Sequence, residues 1–241
     1  MQETFILVMP AYNEERHVKK TISSWMPIVK SLPGSEILIV NDGSTDKTPN
    51  LLNALKNKSM ILKVVHKKNE GHGKTIFLAY KRAYKTRHEW VFQTDSDGHF
   101  DPLDFYKLWK KRKFSKFILG VRHKRNDSTL RTALSRLISI WIYILFGVYI
   151  KDANVPFRLI NKKYLGQLLK RVPEGIFAPN IFLSILAAKD GQKLHHIKLK
   201  PRPHAKKASS LTYTKLFKAC FKGFVELAHF RLNFGREEIA Q

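Results

Sequence analysis

The chain has 241 residues, 44% of them hydrophobic, enough for one sizeable core and too apolar for a disordered segment. Its 44 Lys and Arg against 19 Asp and Glu give a formal net charge of +25, which points to polyanionic partners: nucleic acid, an anionic membrane face or phosphorylated substrates. One cysteine, Cys220, excludes an internal disulfide framework or a cysteine metal cluster, and the opening MQETFILVMP lacks the basic region and apolar length of a signal peptide.

Thr4–Met9 is a short apolar run closed by Pro10 and reads as a buried strand. Glu14 to Trp25 reads as a helix. Ile37–Val40 is a second strand, broken by Asn41-Asp42-Gly43-Ser44, and Thr45 or Asp46 can cap the helix that follows through Leu55. Ile61–His66 is a third strand, followed by Asn69-Glu70-Gly71-His72-Gly73 and a helix to about Lys85. Trp90–Thr94 is a fourth strand, ending at Asp95. Alternating strands and helices of this length predict an α/β fold: a Rossmann-like, mostly parallel sheet with helices on both faces. Ligands of such sheets bind beyond the C-terminal strand ends. Tyr12-Asn13-Glu14, Asn41-Asp42, Asn69-Glu70-Gly71 and Asp95-Ser96-Asp97 all fall at such ends.

Beyond Pro102 the pattern changes. Asp104–Lys113 predicts a helix, Phe117–Gly120 a strand and Thr129–Ile150 a helix, intact or broken. Tyr106 to Lys151 carries twelve Lys or Arg and one acid, Asp127; Gly191 to Gly223 carries nine and none. The apolar run Leu137–Ile150 would span roughly 21 Å as a helix, short of the roughly 30 Å hydrocarbon core of a bilayer. Its Trp141, Tyr143 and Tyr149, with Arg136 and Lys151 at the flanks, suit an interfacial segment, and a buried core helix fits the periodicity equally well. Tyr213–Phe234 reads as an amphipathic helix that lies on a membrane or packs on the domain. The expected organisation is one domain over 1–210, in two halves that divide at about residue 102, then an amphipathic region over 211–241.

Asp95 and Asp97, one residue apart on a chain leaving a strand, can turn toward one cation. Mg²⁺ or Mn²⁺ takes oxygen ligands and shares them with substrate phosphates. His99 can add a third ligand or be an ordinary loop histidine. Asp42 can accept hydrogen bonds from a base or ribose, or simply shape the turn before Gly43. Glu14 can bind ribose, Pro10 and Tyr12 can pack on a base, and Lys74 can meet a phosphate or remain solvated. Arg122 and Arg131 lie in the basic stretch and suit bidentate phosphate binding, with Ser135 one helical turn from Arg131. No RNP-like, helix-turn-helix or finger motif accompanies the charge, so nucleic acid is not the expected partner.

PAYNEE from Pro10, VNDGSTDKT from Val40, NEGHGK from Asn69 and DSDGH from Asp95, in this order and spacing, resemble family 2 glycosyltransferases of GT-A fold. GVR from Gly120, RTALS from Arg131 and DANVPFRL from Asp152 resemble the branch that acts on dolichyl or polyprenyl phosphate. The resemblance implies a metal-dependent, inverting transfer of a hexose from a GDP- or UDP-linked sugar to a polyprenyl phosphate. The expected location is the cytoplasmic face of a membrane, bound peripherally to its anionic surface, with or without a membrane-protein partner. It implies that Pro10, Tyr12, Glu14 and Asp42 hold the nucleoside. Asp95, Ser96 and Asp97 would hold metal and diphosphate, and Arg122, Arg131 and Ser135 the acceptor phosphate. Asp152 would stand near the transferred sugar, and Arg202, in KPRPHAKK, would belong to a loop closing on the donor phosphates. Asn41 stands where the family often has an aspartate, which leaves the base contact to Asp42, and Val155-Pro156 replaces the usual Ser-Gly before Phe157-Arg158. A hydroxyl acceptor on a glycan is the alternative, with Asp152 as its base.

Overall fold

The computed structural model describes residues 3–122, 129–199 and 221–232; of 129–132 it describes the backbone alone. Seven strands form one sheet: β1 (Phe5–Ala11), β2 (Glu36–Asp42), β3 (Leu62–Lys67), β4 (Trp90–Thr94), β5 (Phe117–Arg122), β6 (Phe157–Asn161) and β7 (His195–Leu199). Their order is β3-β2-β1-β4-β6-β5-β7. All neighbouring pairs are parallel except β4–β6 and β5–β6, because β6 runs opposite to the rest. The mostly parallel sheet is thus the expected one, and it continues from the first half of the chain into the second through β6.

Every residue of β1 and β4 is buried, as continuous apolar runs covered on both faces should be, whereas the edge strands β3 and β7 alternate with solvent. One face carries α1 (Val18–Lys30), α2 (Thr48–Asn57) and α4 (Phe105–Lys111). Its core is aromatic: Trp25 lies 5.3 Å from Phe92 and 6.1 Å from Phe157, and Phe5 lies 4.4 Å from Phe105. The other face carries α3 (His72–Tyr84), α6 (Lys162–Arg171) and α7 (Pro179–Lys189), with α5 (Thr129–Phe146) against α7. Residues 221–232 form a further helix, α8, that buries Leu227 and Phe230; Phe230 meets Phe146 and Phe182.

Several boundaries differ from expectation. α2 starts at Thr48 with Lys47 at its N-cap rather than Thr45 or Asp46, although Asp46 Oδ1 accepts from the Thr48 N–H (2.9 Å). α1 begins at Val18 rather than Glu14; the N–H groups of Glu14 and Glu15, ahead of it, donate to Thr48 Oγ1 (2.8 Å) and Asp46 Oδ2 (3.1 Å) and tie this segment to the start of α2. α1 also runs through Pro27 to Lys30. The carbonyl that proline leaves without its helical donor belongs to Ser23, four residues back, and both residues are exposed on the solvent side of the helix. α5 ends at Phe146, where the Gly147 N–H bonds back to the Tyr143 carbonyl (2.9 Å), and does not reach Ile150.

Candidate active site

The parallel strands β3, β2, β1 and β4 end side by side, and their following loops enclose a cavity of about 350 Å³. Pro10, Tyr12, Glu14, Asp42, Asp95, Ser96 and Asp97 all line it, joined by Ala11, Asn69, Gly71, His72 and Thr75. Seven residues picked out separately in the sequence therefore share one space. The first two loops are bolted together. Asn13, in the left-handed region at φ 52°, accepts from the Thr45 N–H (2.9 Å), and its own N–H donates to Ser44 Oγ (3.0 Å). The Lys47 N–H donates to Glu15 Oε2 (3.0 Å).

Asp42 is already occupied. Its Oδ1 accepts from Lys67 Nζ (2.6 Å) and the Glu70 N–H (3.0 Å), and its Oδ2 accepts from the Gly71 N–H (3.0 Å). Burial pushes this carboxyl up, but the Lys67 ammonium and these donors hold it below its ordinary value. Asp42 therefore shapes the β3–α3 loop first, and any base contact is added to that work. Gly71 stands at φ 95°, a conformation only glycine adopts readily, and this aims the first turn of α3 into the cavity. Gly73 serves a different purpose: a Cβ there would lie 2.1 Å from the Phe177 carbonyl, so the close approach it permits is to the protein's own α6–α7 loop.

Asp95 Oδ1 is buried and has no hydrogen-bond partner among the described residues. Burial first, and then the neighbouring Asp97 carboxylate, push the Asp95 carboxyl up to about 8, with Arg122 pulling the other way. An orphaned buried oxygen beside a second carboxylate is a site that fits a divalent cation. Among the described residues no three His, Cys, Asp or Glu side chains gather into a metal-ligand group. Two carboxylates are nonetheless what a Mg²⁺ or Mn²⁺ shared with a diphosphate requires from the protein. His99 meets Asp97: its backbone N–H donates to Oδ1 (3.1 Å) and its Nε2 lies 3.3 Å from Oδ2. Lys74 lies 3.6 Å from Glu70, half-exposed, and does not line the cavity.

Beside the aspartate pair, Arg122 at the end of β5 stands 3.8 Å from the buried Asp152, with its guanidinium over the Phe100 ring. Thirty residues of sequence separate the two, and the antiparallel insertion of β6 brings them together. Ser135 is half-buried on α5, where its carbonyl accepts from Ser139 Oγ (3.1 Å). Arg131 lies on the first turns of the same helix, and its side chain, like Arg202, is outside the described residues.

Sequence reasoning missed the floor of this site. Arg158, Gln93, Tyr80, Asn180 and Ser184 are buried polar residues beneath it. Tyr80 donates to Asn180 Oδ1 (2.9 Å), and Asn180 Nδ2 donates to Gln93 Oε1 (3.2 Å). An arginine in the middle of the apolar run Val155–Ile160 was the available signal.

The profile of Glycosyl transferase family 2 matches residues 6–179. A dolichyl-phosphate β-glucosyltransferase of Trichomonas vaginalis is 32% identical over 174 residues, covering 65% of this chain and 53% of that protein. An undecaprenyl-phosphate 4-deoxy-4-formamido-L-arabinose transferase of Pseudomonas fluorescens is 25% identical over 177 residues, covering 72% and 51%. The chain thus spans about half the length of these two relatives. In structure it is similar to glucosyl-3-phosphoglycerate synthase of Mycobacterium tuberculosis in complex with UDP. The TM-score is 0.70 at 19% identity, over 95% of this chain and 80% of that one. Mannosyl-3-phosphoglycerate synthase of Rubrobacter xylanophilus aligns with a TM-score of 0.72 at 16% identity, over 97% and 76%.

Proposed function

The chain belongs to glycosyl transferase family 2, and from that premise we propose that it moves a hexose from a nucleotide-diphosphate sugar to the phosphate of a polyprenyl or dolichyl lipid. The observation that carries this reading is the adjacency of two sites of opposite character. A carboxylate-lined cavity ends in Asp95-Ser96-Asp97, and the Arg122 guanidinium, itself 3.8 Å from Asp152, stands close enough to pull on the Asp95 carboxyl. The names of the Trichomonas and Pseudomonas relatives support a lipid-phosphate acceptor.

Pro10, Tyr12 and Glu14 would hold the nucleoside, with Asp42 ordering the loop beside it. Asp95 and Asp97 would hold Mg²⁺ or Mn²⁺, which supplies charge neutralisation to the diphosphate. His99 orients Asp97. Arg122, with Arg131 and Ser135, presents the acceptor phosphate, already anionic at neutral pH, so its attack needs no strong general base. Arg202 is assigned to the donor phosphates from the sequence resemblance alone, and Lys74, paired with Glu70 outside the cavity, would reach them only by leaving that partner. Attack from the face opposite the diphosphate inverts the anomeric carbon, and the protein's contribution is positioning and charge.

The acceptor would reach the site from an anionic membrane surface, to which the enzyme binds peripherally. Supporting this, α5 exposes Leu137, Ile140, Tyr143 and Ile144, and α8 exposes Phe221, Val225 and Leu232. Trp141 packs on Phe224 at 4.9 Å and holds the helices side by side, with exposed Arg136, Lys151, Lys222 and Arg231 around the apolar plate. Amphipathic plates with cationic rims sit in the interface rather than cross it. Among the described residues no helix is long and apolar enough to cross a membrane.

Asp97→Ala should lower transfer from a nucleotide sugar by about 100-fold or more. The assay uses purified protein, Mn²⁺ and polyprenyl phosphate. Full transfer by that variant would sink the reading.

A further inference from the structure

Arg158 is one of the largest fully buried side chains of the protein, at 0% exposure. Its five N–H donors are all used. Nε donates to the Val155 carbonyl (3.1 Å), and Nη1 to the Asn180 carbonyl (2.9 Å) and Ser184 Oγ (3.3 Å). Nη2 donates to the carbonyls of Ala153 (3.0 Å) and Val155 (2.7 Å). All these acceptors are neutral. Burying a guanidinium costs several kcal/mol, and a well-packed apolar residue in place of a buried ion is often neutral or stabilising. A saturated buried cation without a hydrogen-bonded carboxylate is therefore not what stability alone selects.

Its partners show what it holds. Ala153 and Val155 flank the turn that immediately follows Asp152, and Asn180 and Ser184 lie on the first turns of α7. Ser184 Oγ, which accepts from Arg158, lies 2.9 Å from the Ala153 carbonyl and 2.8 Å from the Asn180 carbonyl, so its one proton is shared between the turn and its own helix. Across the ladder Arg158 pairs with Gln93, two residues before Asp95 and on the same strand face. The turn carrying Asp152 is thus tied from below to α7 by a side chain that never reaches solvent.

We propose that Arg158 is a positioning residue, which pins the 152–155 turn to α7 and so keeps Asp152 against Arg122 at the sugar end of the site. This rests on the assignment of Asp152 and Arg122 to the transferred sugar and the acceptor phosphate. On the same assignment the nucleoside belongs to the cavity at Pro10 and Tyr12, which neither Arg122 nor Asp152 lines. A loosened turn therefore slows turnover and leaves donor binding alone. Displacements on the order of 1 Å of a reacting group cost roughly 100-fold.

The test is a double-mutant cycle on nucleoside-diphosphate release, with UDP- and GDP-sugars, Mn²⁺ and undecaprenyl phosphate vesicles. Arg158→Lys keeps the charge and loses the fork; it should lower kcat by about 30-fold with donor KM within about twofold. Ser184→Ala, a small neutral change, should lower kcat by about 3- to 10-fold with the same KM signature, and carries the test if Arg158→Lys does not fold. In an Asp152→Asn background both changes should cost less than about twofold more. The proposal is overturned if Ser184→Ala and Arg158→Lys leave kcat unchanged, if donor KM rises in step, or if the losses multiply undiminished on Asp152→Asn. A wild type that releases no nucleoside diphosphate from any of these sugars overturns the transferase reading instead. The same cycle is then read on inorganic phosphate binding at Arg122 by thermal shift, where additive effects would overturn the positioning role.

Discussion

Asp95 and Asp42 are both acidic residues at strand ends, and their surroundings drive them in opposite directions. Asp42 has the Lys67 ammonium and two backbone N–H groups, and is held below its ordinary range. Asp95 has an orphaned oxygen and a carboxylate neighbour, and is pushed to about 8. The raised value gives a signed prediction. The folded protein keeps a proton on Asp95 that the unfolded chain, with an ordinary value of 3.8, has already released. Between about pH 4 and pH 8 the metal-free fold therefore loses stability as pH rises. Asp95→Asn should melt above the wild type at pH 8, with the difference shrinking toward pH 4, while transfer is lost. Parallel melting curves at the two pH values would contradict it. The aspartate pair was legible in the sequence because two like charges directly after a buried strand have few structural uses. The occupancy of Asp42 was not legible, since Lys67 reaches it through the β2–β3 register and Glu70 and Gly71 through the loop that follows. Arg158 was read as part of a motif, and its hydrogen-bonding role emerges only once β6 and α7 are folded together.

At the scale of elements, the four parallel strands were legible as apolar runs closed by polar turns. β6 was not, because Pro156 and Arg158 interrupt its run and because it pairs antiparallel with strands far away in sequence. α6 and α7 were likewise unassigned. α7 is buried nearly all round, so it lacks the amphipathic period that marks a surface helix. The α6–α7 loop matters to the site because it closes on the start of α3. The Phe177 carbonyl occupies the space a side chain at residue 73 would need, and the Phe177 N–H donates to Glu226 of α8 (3.0 Å to Oε2). Gly73→Ala must push that loop away. It should cost about 1–3 kcal/mol in denaturant melts, as overpacking does, and weaken nucleotide-dependent stabilisation. Unchanged stability would mean that the loop yields freely.

For the whole molecule, most of the charge of +25 lies beyond Pro102, while four carboxylates, Glu14, Asp42, Asp95 and Asp97, line the cavity. The plate of α5 and α8 combines that charge with exposed apolar surface, including Leu137 at 50% and Ile144 at 63%. Each side chain transferred into lipid is worth about 1 kcal/mol or more. Leu137→Asp with Ile144→Asp should therefore weaken binding to phosphatidylserine vesicles by roughly tenfold or more, with the fold intact because both positions face outward. Binding should also weaken with salt. Binding that survives both changes would move the membrane contact elsewhere. The central claim, that a donor diphosphate and an acceptor phosphate meet between Asp97 and Arg122, is tested most directly by the chemistry of the product. Wild-type protein with Mn²⁺, radiolabelled UDP- or GDP-sugars and polyprenyl phosphate vesicles should yield a lipid-extractable sugar released by mild acid, as a phosphodiester-linked sugar is, and Arg122→Ala should abolish it. A product stable to mild acid, or transfer only to a glycan hydroxyl, would contradict the account.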